Sequence, residues 1–433
     1  MRWNCFIAIP IVALGVISVV FFSIDVASRQ APKSLTQCIN GQSPNYPPKN
    51  ATGFEDSYAD HIKSCVPFYD LMEKHIKDGT GSRHQPFLSM SLVGAYLFPN
   101  YSAVTTEADG RFGQKVYCRY LDVNQKEIKP AVESVVFPEF TVYCCRRSRA
   151  HYMSITTIKD EKINQTVPVT DRTIDVCLQK SEYQLVSLTH HPATMKELVK
   201  HYVKSGEAEV IYFRDKQDRP EIEWHLVGTQ DCIHRSRHHS KYTIYADMDE
   251  RILPTDTSTT LSAYTAKIMP EKSKIGMIRF ITQYVLKNGT DPTLYEGEKT
   301  LKEHLPTLVY RKTASPAPVG YTAKCIIDPK KVFLMWVHHV AIYFPGYGGY
   351  EVFLMWVHHV AIYFPGYKGY EVPKNEGIIR HYRDIMMGDW YKHYLPGVEK
   401  FGPLTETDYP PTLMKQLYEN VKTKLDFVYK HDQ

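Results

Sequence analysis

The amino-terminal end of the chain contains a long segment without charge. Residues Cys5 to Phe22 read CFIAIPIVALGVISVVFF, eighteen positions with no charged side chain, which can cross a bilayer core as a slightly short helix. A cleaved signal peptide is the alternative, with Ala27 and Ser28 near its cleavage point, but its apolar core usually spans about 7–15 residues. The sequence therefore predicts a transmembrane signal anchor at residues 5–24, in contact with membrane lipid, after a cytosolic end at residues 1–4.

The remainder of the chain has the features of a lumenal protein. Four glycosylation sequons lie at Asn50, Asn100, Asn164 and Asn288, and eight cysteines follow Cys5. Both suit a compartment that glycosylates and oxidises proteins. Together with the anchor they predict a single-pass type II membrane protein whose carboxyl terminus is lumenal.

The cysteines have no zinc-site spacing, because Cys144 and Cys145 are adjacent and the others lie far apart. Disulfides are their expected use, but the pairing cannot be read from the sequence. Cys232 and Cys325 could equally be buried thiols.

Composition excludes one class of partner. The net charge is +5 and is spread along the chain, so nucleic acid is not expected to bind. Hydrophobic residues make up 43% and aromatic residues 12% of the 433 positions, which is enough for a sizeable core.

The segments after the anchor differ in pattern. Residues 25–84 are polar and rich in Pro, Ser and Asn, and are interpreted as a lumenal stem. Residues 85–172 contain short β-branched and aromatic runs such as KVYCRYLDV and HYMSITTI, which predict a β-rich accessory region. Residues 401–433 are predicted to form a carboxyl-terminal helix.

Strands and helices alternate in the α/β domain predicted for residues 173–400. Such alternation favours a parallel sheet with helices on its faces, and ligands bind such sheets at the carboxyl ends of the strands. The predicted elements are a strand at Tyr183–Leu188, a helix at Met195–Gly206, a strand at Glu209–Arg214, a helix at Trp224–His239 and a strand at Tyr242–Ala246.

A twenty-residue block occurs twice in this domain. VFLMWVHHVAIYFPGYGGYE ends at Glu351 and is followed at once by the same sequence with Lys368 in place of Gly348, so that the duplicated block covers residues 332–371. Two copies without drift do not make a solenoid. A recent duplication or a gene-model error explains the block better.

The chemical centre is predicted at Asp247-Met248-Asp249-Glu250. Two aspartates one residue apart follow the predicted strand, and their hard oxygens suit Mn²⁺ or Mg²⁺, which can bridge a diphosphate. When a sugar leaves a nucleotide diphosphate, such an ion stabilises the charge that builds on the departing phosphate. An acidic turn at a strand end is the alternative at even odds, because D-x-D alone is a weak motif.

Histidines provide further candidates. His338-His339 and their copies His358-His359 lie in a run apolar enough for a core strand, where a histidine bonded to the backbone is the simpler interpretation. His381-Tyr382-Arg383 combines a possible metal ligand with a guanidinium that matches phosphate. A surface charge cluster explains these last residues equally well.

Three ordered segments resemble the signature segments of glycosyltransferase family 92, a family expanded in nematodes and formerly a domain of unknown function. They are QDCIHRSRHHSKYTIYADMDERILP, KCIIDPKKVFLMWVHHV and GIIRHYRD. The resemblance covers roughly Gly94 to Asp384 and is far more specific than D-x-D.

The resemblance implies a GT-A-like catalytic domain with a divalent metal. It also implies an inverting transfer of a hexose, galactose above all, from UDP to a glycoprotein glycan in the Golgi membrane. Asp249 would be the direct metal ligand, Asp247 would lie nearer the nucleotide, and His381 would be a third contact. Arg383 is a candidate for binding the nucleotide sugar. The general base is unassigned, and Glu250 is a weak candidate.

Two departures from the family pattern leave an alternative open. Family members place a further helix and strand where Leu188 here runs directly on to Met195, and they carry the duplicated block once. A catalytically inactive membrane-anchored ectodomain, either a pseudoenzyme or a glycan-binding module, is therefore the second interpretation.

Overall fold

A computed structural model describes residues 6–7, 56–80, 82, 89–108, 110–173, 183–187, 193–205, 208–212, 221–247, 249–318, 323–337, 358–384 and 395–430. The predicted membrane span lies outside the described residues except for Phe6–Ile7, which form strand β1. Among the helices that the structure describes, none is both long and apolar enough to cross a membrane.

The accessory region is a seven-stranded sheet with strand order β5-β4-β7-β8-β2-β3-β6. Its inward side chains, such as Tyr96, Val104, Val116 and Val142, are fully buried, as expected for a sheet that packs one face against a core. The strands are β2 (Ser91–Leu97), β3 (Tyr101–Glu107), β4 (Lys115–Leu121), β5 (Glu127–Val135), β6 (Thr141–Cys145), β7 (Tyr152–Thr156) and β8 (Val167–Asp171).

Two disulfides fasten this region. Cys65 bonds to Cys145, and Cys118 bonds to Cys144. The adjacent cysteines of β6 therefore hold two different parts of the chain. Cys232 is also disulfide-bonded, whereas Cys325 is a buried free thiol.

Part of the predicted stem belongs to the accessory fold. Residues 56–80 contain a short 3-10 turn and helix α1 (Tyr69–Lys77). Ile62, Val66 and Met72 are buried in the accessory core, because apolar residues recur there at helical spacing. This corrects the predicted stem boundary at residue 84, since the polar composition of the segment concealed these few buried positions.

The first αβ units match the prediction closely. Strands β9 (Tyr183–Ser187) and β10 (Ala208–Tyr212) pair in parallel. Helix α2 (Ala193–Lys204) connects them, and helix α3 (Glu221–Ser236) leads to β11 (Thr243–Tyr245). The described residues of β1 pair in parallel with the other edge of β9.

The larger sheet of this part has eight strands and is mixed rather than parallel. At its centre β13 runs parallel to β18 and β19 but antiparallel to β15, and β15 is antiparallel to β11. Short buried strands read as apolar runs in either direction, so the sequence could not reveal this. The remaining strands are β12 (Glu250–Pro254), β13 (Ile275–Lys287), β14 (Lys312–Thr313), β15 (Lys324–Ile327), β18 (Lys368–Glu371), β19 (Gly377–Asp384) and β20 (Thr405–Glu406).

The duplicated block contributes one strand from each copy. β16 (Val332–Val337) comes from the first copy and pairs antiparallel with β17 (His358–Tyr363) from the second. The prediction of strands in this block is confirmed. His338 and His339 lie outside the described residues.

Helices cover the carboxyl-terminal part of the sheet. α4 (Leu261–Ile268) follows β12, whereas α5 (Glu298–His304) and α6 (Pro306–Val309) follow β13. α7 (Leu395–Glu399) precedes β20, and α8 (Pro411–Lys430) is the predicted carboxyl-terminal helix. That helix begins later than residue 401, because Pro410 and Pro411 fix its start.

Candidate metal and nucleotide-sugar site

The acidic motif lies in the turn between β11 and β12. β11 ends at Tyr245, and β12 begins at Glu250. β12 pairs antiparallel with β19 so that Glu250 faces His381. The structure therefore brings the predicted residues together, although about 130 positions separate the motif from the histidine (381 − 250 = 131).

Asp249, which is partly exposed, and the buried His381 form one half of the cluster. The Nε2 atom of His381 lies 3.0 Å from Asp249 Oδ2, and the Asp249 side chain is 31% exposed. Tyr284 stacks on the imidazole with ring centroids 5.2 Å apart. Burial raises the pKa of Asp249, but the charge and hydrogen bond of His381, together with the Arg383 charge, outweigh this and lower it.

Asp247, Glu250 and Lys324 form the buried half. The Lys324 ammonium lies 3.1 Å from Asp247 Oδ2 and 3.0 Å from Glu250 Oε1, and the lysine side chain has no exposure. The Asp247 backbone N–H donates to Glu250 Oε2 at 2.7 Å. Burial, with the nearby Glu250 and Asp249 charges, raises the pKa of Asp247 to about 7, against the opposing effect of Lys324.

Glu250 is placed to support the site rather than to touch an acceptor. Its side chain has no exposure, and its carboxylate faces Lys324, the Asp247 N–H and His381 Nδ1 at 3.3 Å. A general base must reach the hydroxyl that it deprotonates. The described geometry therefore gives Glu250 no path to a glycan hydroxyl.

Two side chains fit a divalent ion. Within the described ranges no group of three or more His, Cys, Asp or Glu side chains is placed to hold a metal ion, so Asp247, Asp249 and His381 do not form a ready three-ligand site. Asp249 Oδ2 and His381 Nε2 are nevertheless 3.0 Å apart, which is about the spacing of neighbouring ligands on an octahedral ion with bonds near 2.1 Å. Asp247 Oδ1 is buried and has no hydrogen-bond partner among the described residues.

A family comparison bears on this geometry. The sequence model of Glycosyltransferase family 92 matches residues 188–352 and 349–417, and the two ranges together span more than half of the chain. The chain belongs to glycosyltransferase family 92. It is thus a glycosyltransferase, and its partners are a nucleotide-sugar donor and a glycan acceptor. No curated protein matches the chain.

The limits of the family 92 match fall at the two departures seen in the sequence. The match starts at residue 188, where a helix and a strand are expected in the family, and its two ranges meet inside the duplicated block. The accessory region lies outside the match. Its resemblance to the family therefore remains a prediction.

Two residues of the candidate site were not predicted from the sequence. Lys324 opens β15 as a charged residue before the apolar Cys325-Ile326-Ile327, and that position at the start of a buried strand was the available signal. Tyr284 gave no signal, because it is one of 31 tyrosines. Its place beside His381 follows from the parallel register of β13 and β19, which pairs the two residues.

Three predicted glycosylation sites are accessible. Asn100, Asn164 and Asn288 are all exposed, so each can accept a glycan. Asn50 lies outside the described residues. None of the three exposed asparagines belongs to the acidic cluster.

Proposed function

We propose that this family 92 domain has a GT-A-like fold and transfers a hexose, galactose above all, from a UDP-sugar to a glycoprotein glycan with inversion. The proposal includes dependence on Mn²⁺ or Mg²⁺. Its main support is the Asp249–His381 pair at 3.0 Å. Asp249 lies in the turn between β11 and β12, and His381 lies on β19, which pairs with β12. The turn is thus at a strand end of the α/β sheet, where ligands of such sheets bind.

The chain's own groups would hold the ion and orient the donor. Asp249 and His381 supply one oxygen and one nitrogen ligand, and Tyr284 fixes the imidazole ring. Asp247 would lie nearer the nucleotide, although its Oδ1 is buried, and Arg383 adds a positive charge near Asp249. When bound, the metal supplies Lewis-acid stabilisation of the departing diphosphate.

Asp249→Ala tests the metal role. With Mn²⁺, UDP-galactose and a glycan acceptor, we expect the purified chain to release UDP. The rate of UDP release by the variant should be lower by about 100-fold or more, because metal stabilisation of the departing diphosphate is worth several kcal/mol. Asp160→Ala is the control, since Asp160 is 81% exposed in the accessory region. Activity that survives Asp249→Ala or chelation of the metal would exclude the proposed role.

The alternative is a non-catalytic ectodomain. The break of the family match within the duplicated block favours it, because an extra twenty residues can displace parts of a working pocket. Calorimetric titration of UDP in the presence of Mn²⁺ separates the two. A dead pocket shows no metal-dependent binding, whereas an active enzyme does.

We also propose a type II Golgi membrane protein anchored by residues 5–24, with the domain in the lumen. The uncharged segment supports this, as do the exposed sequons and the disulfides. Such an anchor requires that Phe6–Ile7 leave their pairing with β9. Glycosidase treatment of the chain from secretory cells should reduce its mass. A chain of unchanged mass would place the domain outside the lumen.

A further inference from the structure

Lys324 lies inside the acidic cluster rather than at its surface. Its side chain is fully buried on the central strand β15, and its ammonium contacts one oxygen each of Asp247 and Glu250. A lone ammonium at this depth would be strongly destabilising, as would either carboxylate without a counter-charge. The three groups therefore depend on one another.

A further contact links two members of the buried group formed by Asp247, Glu250 and Lys324. The second oxygen of Glu250 accepts the Asp247 N–H at 2.7 Å, so the same two residues are tied by charge and by the backbone. Asp249 stays outside this set. Its carboxylate is turned towards His381 and is 31% exposed, against 13% for Asp247 and none for Glu250.

We propose that Lys324 is a positioning residue that divides the acidic cluster into two parts. Its charge neutralises the buried Asp247–Glu250 pair and repels a divalent ion from it, so that the ion is held by the partly exposed Asp249 and its partner His381. There the donor phosphates can reach it. This inference rests on the metal site of the proposed function and adds the residue that fixes where the ion lies.

Lys324→Met tests the inference because methionine keeps much of the side-chain length and removes the charge. The lost positive charge lies beside the proposed ion site. Its loss should tighten the binding of Mn²⁺, measured without a donor, by about tenfold or more. Transfer activity should fall, because the ion is drawn towards Asp247 and Glu250. Calorimetry of the full chain measures the affinity.

A compensating variant separates charge from packing. Lys324→Met combined with Glu250→Gln removes the two charges together, so the Mn²⁺ affinity should return to within about threefold of the original. The unfolding midpoint without metal should also rise above that of Lys324→Met. A lysine that served only to fill space would give no such rescue.

Lys331→Met is the matched control. Lys331 is also a buried lysine, with a side chain 6% exposed, and it pairs with Asp328 at 3.1 Å rather than with the acidic cluster. Its replacement should lower the unfolding midpoint and leave the Mn²⁺ affinity unchanged. Glu250→Gln should not rescue it.

The outcomes are distinguishable from those of the proposed function. If Lys324→Met does not fold, the double variant must still fold, and failure of both overturns the inference. Unchanged or weaker Mn²⁺ binding by a folded Lys324→Met overturns it as well. If the original chain binds no Mn²⁺, the proposed function fails together with the inference about where the ion lies.

Discussion

Two aspartates one residue apart have opposite surroundings in this chain. The Asp247 carboxylate contacts the buried Lys324 ammonium, whereas the Asp249 carboxylate is partly exposed to solvent and contacts the His381 imidazole. The reason is geometric, because the turn that leaves β11 sends its first carboxylate inwards and its last carboxylate towards β19. Under the proposed function, Asp249 is therefore the aspartate that is placed to bind the ion.

His381→Ala should weaken the dependence of the rate on Mn²⁺. Loss of even a supporting partner of a metal ligand costs about 10–100-fold in affinity, so the Mn²⁺ concentration for half-maximal rate should rise at least about tenfold. Initial rates across a Mn²⁺ series measure this. His151→Ala, at an exposed position of the accessory region, should match the original chain; a shift there too would point to a general loss of structure.

His234 should make the fold sensitive to acid. It is fully buried among Tyr96, Phe98 and Tyr143, with Arg237 3.4 Å away. Burial, helped by the Arg237 charge, holds the pKa of His234 well below its usual 6.5. The folded chain thus binds fewer protons than the unfolded chain below about pH 6.5, and the free energy of unfolding decreases as the pH falls further.

Denaturant unfolding at neutral and mildly acidic pH measures this effect. His234→Phe removes the titrating ring and keeps an aromatic side chain among its neighbours. Its free energy of unfolding should decrease less between the two pH values than that of the original chain. An equal decrease in both proteins would assign the acid sensitivity to other groups.

The sequence predicted the candidate residues better than their roles. Asp247, Asp249 and His381 were identified because carboxylates after a strand and a histidine after an apolar pair are local patterns. The contact of Lys324 with Asp247 and Glu250 was not predictable, because it joins a lysine on β15 to the turn after β11. Such a contact arises from sheet order, which the sequence alone did not determine.

Helix α3 joins the accessory sheet to the α/β part. Asp231 on this helix accepts hydrogen bonds from Tyr96 at 2.6 Å and Thr105 at 2.7 Å, and pairs with Arg235 at 3.0 Å. Gly94 leaves the room for this network, since a Cβ there would lie 2.9 Å from Asp231 Oδ1. β11, the strand that leads into the acidic motif, follows this helix directly.

Asp231→Ala should be severely destabilising. It leaves a buried arginine without its carboxylate and two buried hydroxyls without their acceptor, at a cost of about 3–5 kcal/mol. Glu197→Ala on helix α2 is the control, because its pair with Lys200 is 48% and 69% exposed and such pairs contribute about 0–1 kcal/mol. Equilibrium unfolding in denaturant compares the two, and similar losses would contradict a special role for Asp231.

At the scale of elements, the sequence predicted where strands and helices form better than it predicted the direction in which the strands run. β9, α2, β10, α3 and β11 all formed within a few residues of their expected positions, because apolar periodicity and a glycine or charged run mark such segments. No comparable sequence pattern indicated that β15 runs antiparallel to both β11 and β13. Strand direction depends on how the chain returns to the sheet, and apolar spacing does not record that.

Reduction should destabilise the core that the accessory region shares with the α/β part. The disulfides Cys65–Cys145 and Cys118–Cys144 join residues 80 and 26 positions apart, and loops of this length restrict the unfolded chain by about 3–5 kcal/mol each. The melting temperature should therefore fall in a strong reductant. The buried thiol of Cys325 serves as the internal reporter, because it lies in the same core cluster as the accessory strands and should react with an alkylating reagent once that core opens. Melting of the reduced chain without alkylation of Cys325 would contradict a shared core.

At the scale of the whole molecule, the core of the α/β part continues into the accessory sheet. Leu226, Val227 and Ile233 of α3 are buried in the same cluster as the accessory strands. The sequence predicted a β-rich region and an α/β domain as neighbours, but not that they share one core. Helix α3 could reveal this only through its pairing with Tyr96 and Thr105, which lie far away in the sequence.

The adjacent cysteines of β6 also determine how the chain must mature. As the polypeptide is synthesised from its amino end, Cys65 and Cys118 appear before their partners Cys144 and Cys145. These early thiols are free to join each other in a bridge that the native fold does not contain. Exchange proceeds by thiolate attack on an existing bridge, so the late pair of neighbouring thiols is placed to resolve the error. Efficient production of this chain therefore requires an isomerase and a balanced redox buffer.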